Sequence, residues 1–263
     1  MAKAPPTPLV DAHFHIFPLS AGVTDARYVP TYSASVEQWG DVAHPCGITH
    51  GVLVQPSFLG SDNSLLLKAL QALPNCLRGV AVVGPHAHKG ELEAMHQAGV
   101  RGIRLNLSGK SHDHDTWALH PETWDAVMSL GWHLELHTDT NGLPGVLKHV
   151  PSDIRVVIDH MARPTSASLG DETIQSLRTR REGTIFVKLS APYRLEGISA
   201  SDLAKVLLHE LGPSALLWGS DWPFTNHESK VNYQMLFSSL DKWLEGMYLD
   251  NILNANPQKL YFW

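Results

Sequence analysis

The chain has 263 residues, of which 43% are hydrophobic, and its formal net charge is −6. This size suits a single domain over residues 1–263, because closed α/β barrels commonly run to about 250 residues. The acidic balance, without a basic stripe, argues against a nucleic-acid partner. No apolar run approaches the roughly 18 residues of a membrane span, and the first residues lack the apolar core of a signal peptide.

The two cysteines, Cys46 and Cys76, have no paired spacing. We therefore interpret them as reduced thiols rather than a disulfide or a zinc knuckle. Together with the missing signal peptide, they predict a cytoplasmic protein. The sequence leaves the oligomeric state open.

Eight short apolar runs rich in β-branched residues predict strands. In chain order they are Val10–Phe17, His50–Ser57, Leu77–Gly84, Val100–Leu107, Trp132–Thr138, Ile154–Met161, Thr184–Ser190 and Ala215–Trp222. Apolar residues at helical spacing between them predict helices. These segments are Ser64–Leu73, Lys89–Ala98, Pro121–Leu130, Glu172–Arg181, Ser201–Leu211 and Val231–Leu244.

The alternation of strands and helices indicates the fold class. Strands that are apolar on both faces and alternate with helices indicate a parallel sheet, and eight repeats predict a closed (β/α)8 TIM barrel. A doubly wound open sheet is the competing fold, but its glycine-rich phosphate turn after the first strand is missing. The long segments 18–45 and 108–120 should overhang the face where barrel active sites form. Residues 256–263 should form a short helix or turn that plugs the barrel.

Polar side chains end most of the predicted strands. His13 and His15 should share one face of the first strand, with Ala12 and Phe14 turned the other way. Buried ionisable groups are costly unless they are paired or used, so their gathering at one barrel mouth predicts a catalytic site. For the two histidines alone, a hydrogen-bonded core pair is the alternative. The other strand-end residues are Gln55, Ser57, Arg104, Asn106, His137, Asp159, His160, Arg163, Ser190, Arg194 and Asp221.

Three motifs, in this order, resemble the amidohydrolase superfamily of TIM-barrel hydrolases. They are Asp11-Ala12-His13-Phe14-His15, Asp159-His160-Met161-Ala162-Arg163-Pro164 and Gly219-Ser220-Asp221-Trp222-Pro223. The resemblance spans essentially the whole chain and is strongest to the branch that contains 2-pyrone-4,6-dicarboxylate lactonase. The segments Arg27-Tyr28-Val29-Pro30 and Tyr193-Arg194 also resemble positions that hold substrate in that branch.

The resemblance implies a hydrolase that opens a small carboxylated lactone, in aromatic catabolism. It implies that Asp221 is the general base for the attacking water, and that His13, His15 and His160 polarise the carbonyl oxygen. Fixed donors in such a role can each be worth about 3 kcal/mol of barrier. Cationic neighbours would weaken Asp221 as a base, so at least some of the imidazoles must be neutral.

Arginines at the barrel mouth indicate an anionic substrate. A guanidinium group binds a carboxylate through a bidentate fork, so three of them would suit a small di- or tricarboxylate. The alternative for each arginine is an ordinary ion pair, and for Tyr28 it is packing on the barrel lip. The predicted substrate-binding set is Arg104, Arg163, Arg194, Tyr28, Ser57 and His137.

The metal content stays open between none and one Zn²⁺. His13, His15, His137, His160 and Asp221 together offer donor atoms that suit zinc. Binuclear members of the superfamily place a bridging lysine or glutamate at the end of strand four, where this chain has Arg104-Leu105-Asn106, so we expect no binuclear centre. We favour no required metal, because the arginines suit an anionic substrate better than a cation.

Three functions compete for this sequence. The favoured one is a metal-independent hydrolase of a carboxylated lactone. The second is a mononuclear-zinc hydrolase or decarboxylase of the same superfamily that acts on another acid or sugar lactone. The third is a non-catalytic carboxylate-binding barrel, which would have no need of a buried carboxylate among histidines.

Overall fold

The computed structural model describes residues 7–20, 22–23, 26 and 28–263; Arg27 lies outside them. Eight parallel strands pair in chain order, each with the next. The last strand returns to the first, because the Asp221 N–H donates to the His13 carbonyl and the His15 N–H to the Trp222 carbonyl, each at 2.9 Å. The predicted (β/α)8 barrel is confirmed. Its strands are β1 (Val10–Phe14), β2 (His50–Val54), β3 (Leu77–Ala81), β4 (Val100–Asn106), β5 (His133–His137), β6 (Arg155–Ile158), β7 (Ile185–Leu189) and β8 (Leu216–Trp218).

Helices cover the outside of the barrel, and several begin where a side chain caps their free N–H groups. Ser35 and Gln38 form a capping box at α1, and Asp171 caps α7. The six predicted helices are confirmed, although α7 ends earlier than predicted. No described helix is long and apolar enough to cross a bilayer. The helices are α1 (Val36–Ala43), α2 (Ser64–Ala72), α3 (Lys89–Ala98), α4 (His114–Trp117), α5 (Pro121–Ser129), α6 (Leu143–Leu147), α7 (Glu172–Leu177), α8 (Ala200–Leu211), α9 (Tyr233–Leu244) and α10 (Asn256–Tyr261).

Apolar side chains fill the lower half of the barrel. Leu260 and Tyr261 of α10 join this cluster, so the C-terminal helix plugs the barrel as predicted. The lower interior of the barrel is therefore a packed core, and the active sites of such barrels lie above it, at the carboxyl ends of the strands. Cys46 and Cys76 are free thiols. The strand residues in the cluster are Val10, Ala12, Val52, Val54, Val80, Val157, Phe186 and Leu217.

The first strand carries a bulge. Its register against β2 shifts between Asp11 and Phe14, so β1 accommodates an extra residue there. Ala12 packs inside the barrel, and the next side chain, His13, also points inward, to Lys188. The prediction that Ala12 faces away from His13 is therefore wrong. The bulge turns His13 inward directly above the apolar core.

Asp11, the first residue of the first motif, has a structural role. Its buried carboxylate accepts hydrogen bonds from Trp39 Nε1 at 3.0 Å and from the Tyr233 hydroxyl at 2.9 Å. It also accepts from the Ser220 hydroxyl at 2.7 Å and the Ser220 N–H at 2.9 Å. Asp11 thereby ties β1 to the turn after β8, which carries the third motif.

Candidate active site

A cavity of about 240 Å³ opens at the carboxyl ends of the strands. Pockets for drug-sized ligands measure roughly 300–1,000 Å³, so this one suits a small metabolite. Among the residues predicted for the site, His13 and Arg163 are absent from the lining. The lining consists of His15, Tyr28, Pro56, Ser57, Phe58, Arg104, Asn106, Ser108, His137, His160, Arg194, Asp221, Thr225 and Asn226.

Asp221 is held through one oxygen only. Its Oδ2 accepts hydrogen bonds from the Tyr193 hydroxyl at 2.8 Å and from Arg194 Nε and Nη2 at 3.0 and 2.9 Å. Burial alone would raise the pKa of Asp221, but the Arg194 guanidinium and the neighbouring imidazoles hold it well below its ordinary value. Burial and Asp221 raise the pKa of Tyr193 well above its ordinary value, so the phenol donates. The carboxylate is therefore ionised at neutral pH.

The other oxygen of Asp221 faces three imidazoles. Oδ1 lies 3.5 Å from His15 Nε2, 3.6 Å from His13 Nε2 and 3.9 Å from His160 Nε2. Burial lowers the pKa of His13 and of His160 well below the ordinary value, so both rings are neutral at neutral pH. This agrees with the requirement that some imidazoles beside a carboxylate base carry no charge.

Two buried imidazoles, His133 and His137, have no hydrogen-bond partner at either ring nitrogen among the described residues, and of these only His137 lies at the cavity. His137 lines the cavity at 8% exposure. Its ring packs edge-on against His160, with 4.6 Å between centroids. Burial and the neighbouring His160 lower the pKa of His137 well below its ordinary value. A buried polar group without a partner costs about 1–3 kcal/mol, so His137 is placed to meet a polar atom of a ligand.

A network of ion pairs lies directly beneath the cavity, fully buried. Lys188 donates to Glu135 and lies 3.4 Å from Asp159 Oδ1. Arg104 Nη2 donates to Asp159 Oδ2 at 2.8 Å, while its Nε lies 3.5 Å from Glu135 Oε1. Burial and the neighbouring Asp159 carboxylate raise the pKa of Glu135 to about 7. Two cations therefore face two carboxylates, which is what makes such a cluster tolerable in a core.

Neither Lys188 nor Glu135 was predicted as a site residue. The sequence does carry a signal for them, because each is a charged residue with apolar neighbours on both sides inside a predicted strand. Such a residue has to pair with another charge within the core. Arg104 belongs to both the cavity and the buried network. It lines the cavity, as predicted, and it also forms a buried ion pair with Asp159.

The chain after β6 adopts a left-handed conformation over four successive residues, His160 to Arg163, with φ between 45° and 64°. Residues other than glycine rarely adopt this conformation, and strain of this kind concentrates at functional sites. The turn brings His160 to the cavity and leaves Arg163 just outside the lining, with Nη1 3.4 Å from the hydroxyl of the lining residue Ser108. Arg163 also lies 3.5 Å from a Glu196 oxygen and 3.8 Å from an Asp139 oxygen. Its contacts match the alternative interpretation, an ion pair on the lip.

The spacing of the possible metal ligands suits zinc. The nearest nitrogens of His13 and His15 are 3.1 Å apart, and each lies within 3.6 Å of Asp221 Oδ1. Ligand atoms around a tetrahedral zinc with bonds of about 2.0 Å lie about 3.3 Å apart. Among the described residues, two groups could hold a metal ion, and His137 belongs to neither, so the predicted five-residue zinc set is not assembled. The two groups are His13, His15 and Asp221, and His13, Asp159 and His160.

The neighbours of His13 bear on whether this group could hold zinc. A zinc-bound histidine almost always donates its other ring N–H to a carboxylate, a carbonyl or water. The other nitrogen of His13, Nδ1, lies 3.0 Å from the Lys188 amine and 3.2 Å from Asp159 Oδ1. A donor at Nδ1 requires the ring to carry its proton on Nε2, the atom that a metal would need. The group therefore has the spacing of a zinc site, and its proton arrangement depends on whether His13 Nδ1 pairs with Lys188 or with Asp159.

Comparison with known proteins identifies the family. The sequence profile of the family described as "Amidohydrolase" matches residues 10–263. The chain belongs to the amidohydrolase family. A Comamonas testosteroni relative named 2-pyrone-4,6-dicarboxylate hydrolase is 29% identical over 98% of this chain and 91% of its own length. The resemblance stated from the sequence is confirmed, and this amidohydrolase is an enzyme of the hydrolase class.

Two solved structures of relatives agree with this. One, from Pseudomonas putida and assigned as a 2-pyrone-4,6-dicarboxylic acid hydrolase, is 35% identical, with a TM-score of 0.87 over 97% of this chain and 98% of that one. A second, from Acinetobacter baumannii, carries the same assignment and was solved with citric acid bound. It is 32% identical, with a TM-score of 0.85 over 97% of this chain and 99% of that one.

The same fold also includes a zinc-containing member. A Burkholderia multivorans amidohydrolase solved with bound zinc is 18% identical, with a TM-score of 0.77 over 97% of this chain and 99% of that one. At that identity the likeness concerns the fold. Metal use in this chain therefore has to be argued from its own residues.

Proposed function

We propose that this amidohydrolase opens a small carboxylated lactone of the 2-pyrone-4,6-dicarboxylate type by adding water to the ring ester. The observation that carries the proposal is the state of Asp221, an ionised carboxylate with one oxygen held by Arg194 and the other turned to the cavity. The name of the Comamonas testosteroni relative supports the substrate class. Citric acid in the Acinetobacter baumannii structure supports a site for several carboxylates.

In the proposed reaction, a water molecule between Asp221 Oδ1 and the ring carbonyl gives its proton to Oδ1 while its oxygen bonds to the carbonyl carbon. The negative charge that develops on the carbonyl oxygen is stabilised by N–H groups of His137 and His160. Collapse of this intermediate breaks the ring C–O bond, and Asp221 returns the proton to the departing ring oxygen. Each half of the reaction uses the same carboxylate, so the enzyme ends in its starting state.

His13 does not line the cavity, so we assign it a positioning role instead of the carbonyl contact that the resemblance implies. Its Nε2 lies 3.1 Å from His15 Nε2, which keeps the His15 ring beside Asp221. His15 lines the cavity and directs its Nδ1 to the Val54 carbonyl at 2.7 Å. We propose that His15 helps to form the position in which the attacking water binds next to Asp221.

Arg104 and Arg194 are the proposed binders of the substrate carboxylates, with Tyr28 and Ser57 as further donors. All four line the cavity. Arg104 Nη1 has a single long contact, 3.5 Å to the Gln55 carbonyl, so it has donor capacity left for a carboxylate. In this proposal Arg163 acts on the lip and does not bind substrate. We propose that the enzyme binds neither nucleic acid nor a membrane, and that it works in the cytoplasm.

We propose that no resident metal is required. The second candidate, a mononuclear-zinc hydrolase or decarboxylase, is favoured by the 3.1–3.6 Å spacing of His13, His15 and Asp221. The pairing of His13 Nδ1 with Lys188 favours the first candidate. Both predict a small anionic substrate, and they differ in the effect of a chelator.

A panel of lactones tests the proposal. Ring opening would be followed by ultraviolet absorbance for 2-pyrone-4,6-dicarboxylate, the uncharged 2-pyrone and a sugar lactone, each with and without chelator. We expect rapid opening of the dicarboxylate, slow opening of the uncharged ring, and no effect of chelator. Opening of the sugar lactone alone, abolished by chelator, would favour the zinc enzyme. A protein that binds the dicarboxylate and opens no lactone would contradict both enzymes.

A further inference from the structure

Lys188 is the cation of the buried network that contacts the histidine cluster from below. Its side chain is fully buried in β7 and does not line the cavity, so it cannot touch a substrate there. Its amine contacts Glu135 and lies 3.0 Å from His13 Nδ1. A buried amine is costly to maintain, and this one reaches the edge of the His13 ring that faces away from the site.

The hydrogen bonds around His13 fix which nitrogen carries its proton. The Val54 carbonyl can only accept, so His15 carries a proton on Nδ1, 2.7 Å away, and a neutral His15 has a lone pair on Nε2. That lone pair faces His13 Nε2 at 3.1 Å, so the proton between them belongs to His13. His13 Nδ1 then carries a lone pair, which accepts from Lys188. The Val54 carbonyl at one end of this series of hydrogen bonds and the Lys188 amine at the other therefore both require the proton of His13 to be on Nε2.

A competing partner for His13 Nδ1 lies beside Lys188. Asp159 Oδ1 is 3.2 Å from this nitrogen and has no hydrogen-bond partner among the described residues. If His13 donated to Asp159 instead, it would have the carboxylate partner typical of a zinc-bound histidine. The lone pairs of His13 Nε2 and His15 Nε2 would then both face Asp221 Oδ1, at the spacing of zinc ligands.

We propose that Lys188 is a positioning residue that sets the tautomer of His13, and so keeps the cluster of His13, His15 and Asp221 from binding zinc. With Lys188 in place, His13 is a donor toward His15 and Asp221. Without it, His13 carries its proton on Nδ1 and donates it in a hydrogen bond to Asp159, and the cluster becomes a zinc site. This inference rests on the proposed function in one respect, that Asp221 acts without a metal.

Zinc affinity tests the inference without any substrate. The variant K188M/E135Q removes the amine together with the charge of the carboxylate that it contacts. Matched controls are E135Q alone, which keeps Lys188, and K89M/E93Q, which removes an exposed lysine–glutamate pair 3.7 Å apart on α3. Each purified protein would be dialysed against buffered zinc, and bound zinc per chain measured by mass spectrometry.

We expect K188M/E135Q to bind zinc at least about tenfold more tightly than the wild type and both controls, because the hydrogen-bond partner of a ligating histidine sets metal affinity over about 10- to 100-fold. Equal affinity in all four proteins would overturn the inference. Because the lactone assay is not used, a failure here is distinguishable from a failure of the proposed function.

A measurement on the unaltered enzyme covers the case in which K188M/E135Q does not fold. Long-range nitrogen–proton correlation spectra of histidine-labelled enzyme report the tautomer of each imidazole, and comparison with H13N assigns the signals of His13. We expect the proton of His13 on Nε2. A proton on Nδ1 would overturn the inference whatever the variants do.

Discussion

Arg194 donates two hydrogen bonds to a single oxygen of Asp221, from Nε at 3.0 Å and from Nη2 at 2.9 Å. The second oxygen is left to the cavity and the imidazoles. A guanidinium this close to a buried carboxylate favours its charged form strongly, because little water screens the pair. The proposed base is therefore ionised over a wide range of pH, and it is also a weaker base than a free carboxylate.

The first prediction concerns the acid side of the pH profile. A lowered pKa keeps Asp221 deprotonated as the pH falls, so kcat/KM should not decline between about pH 7 and about pH 5. In R194M the effect of burial is no longer offset, so the pKa of Asp221 rises and the acid limb moves to higher pH. Profiles of kcat/KM against pH for both proteins check this. Superimposable acid limbs would show that Arg194 does not set the ionisation of the base.

The second prediction concerns His137. Replacement by alanine removes a donor proposed to act on the developing oxyanion, so kcat should fall about 10²- to 10³-fold with a much smaller change in KM. The matched control is H88A, because His88 is exposed at the start of α3. A variant H137A with wild-type kcat would exclude His137 from the reaction and leave His160 as the donor.

The third prediction separates two arginines that the sequence places together. R104K keeps the charge that Asp159 and Glu135 need, but it loses the planar fork, so KM for the dicarboxylate should rise about tenfold or more. Arg163 lies outside the cavity lining, so R163M should leave KM within about twofold of the wild type. Michaelis constants for both variants, with thermal unfolding as a check on folding, give the comparison. The reverse order would return Arg163 to the substrate site.

The fourth prediction concerns the close approach of β8 to β1. A Cβ atom at Gly219 would lie 2.5 Å from His13 Cβ and 3.0 Å from its backbone nitrogen. G219A should therefore lower the free energy of unfolding by about 1–3 kcal/mol and displace His13. In G90A the new methyl group meets nothing within 4 Å, so this helical control should be neutral or slightly stabilising. Chemical denaturation measures both, and equal stability would contradict the close contact.

Much of the fold could be predicted from the sequence because apolar runs and helical spacing report burial directly. All eight predicted strands begin at or within one residue of their observed starts. Their predicted ends run too far, since the residues directly after the strands are also buried, except after β3, where Val82 and Val83 are half-buried. Helices α1, α4 and α6 were missed, because they are short and lie in connecting segments.

The site was less predictable, because its arrangement depends on contacts between distant strands. Strand alternation placed His13 and His15 on one face, but it could not show the bulge that also turns Ala12 inward. Nothing local indicated that Arg163 would lie outside the cavity lining, after four successive left-handed residues. Lys188 and Glu135 could be recognised as a buried ion pair only once both were known to lie inside the same barrel.

The most direct test of the account compares wild-type enzyme with D221N on 2-pyrone-4,6-dicarboxylate in the presence of chelator. The substitution keeps the shape of the side chain and removes the base, so we expect kcat to fall by several orders of magnitude while the dicarboxylate still binds. Binding of the dicarboxylate to D221N would be measured by calorimetry. Turnover by D221N at the wild-type rate, or no turnover by the wild-type enzyme until zinc is added, would contradict the account.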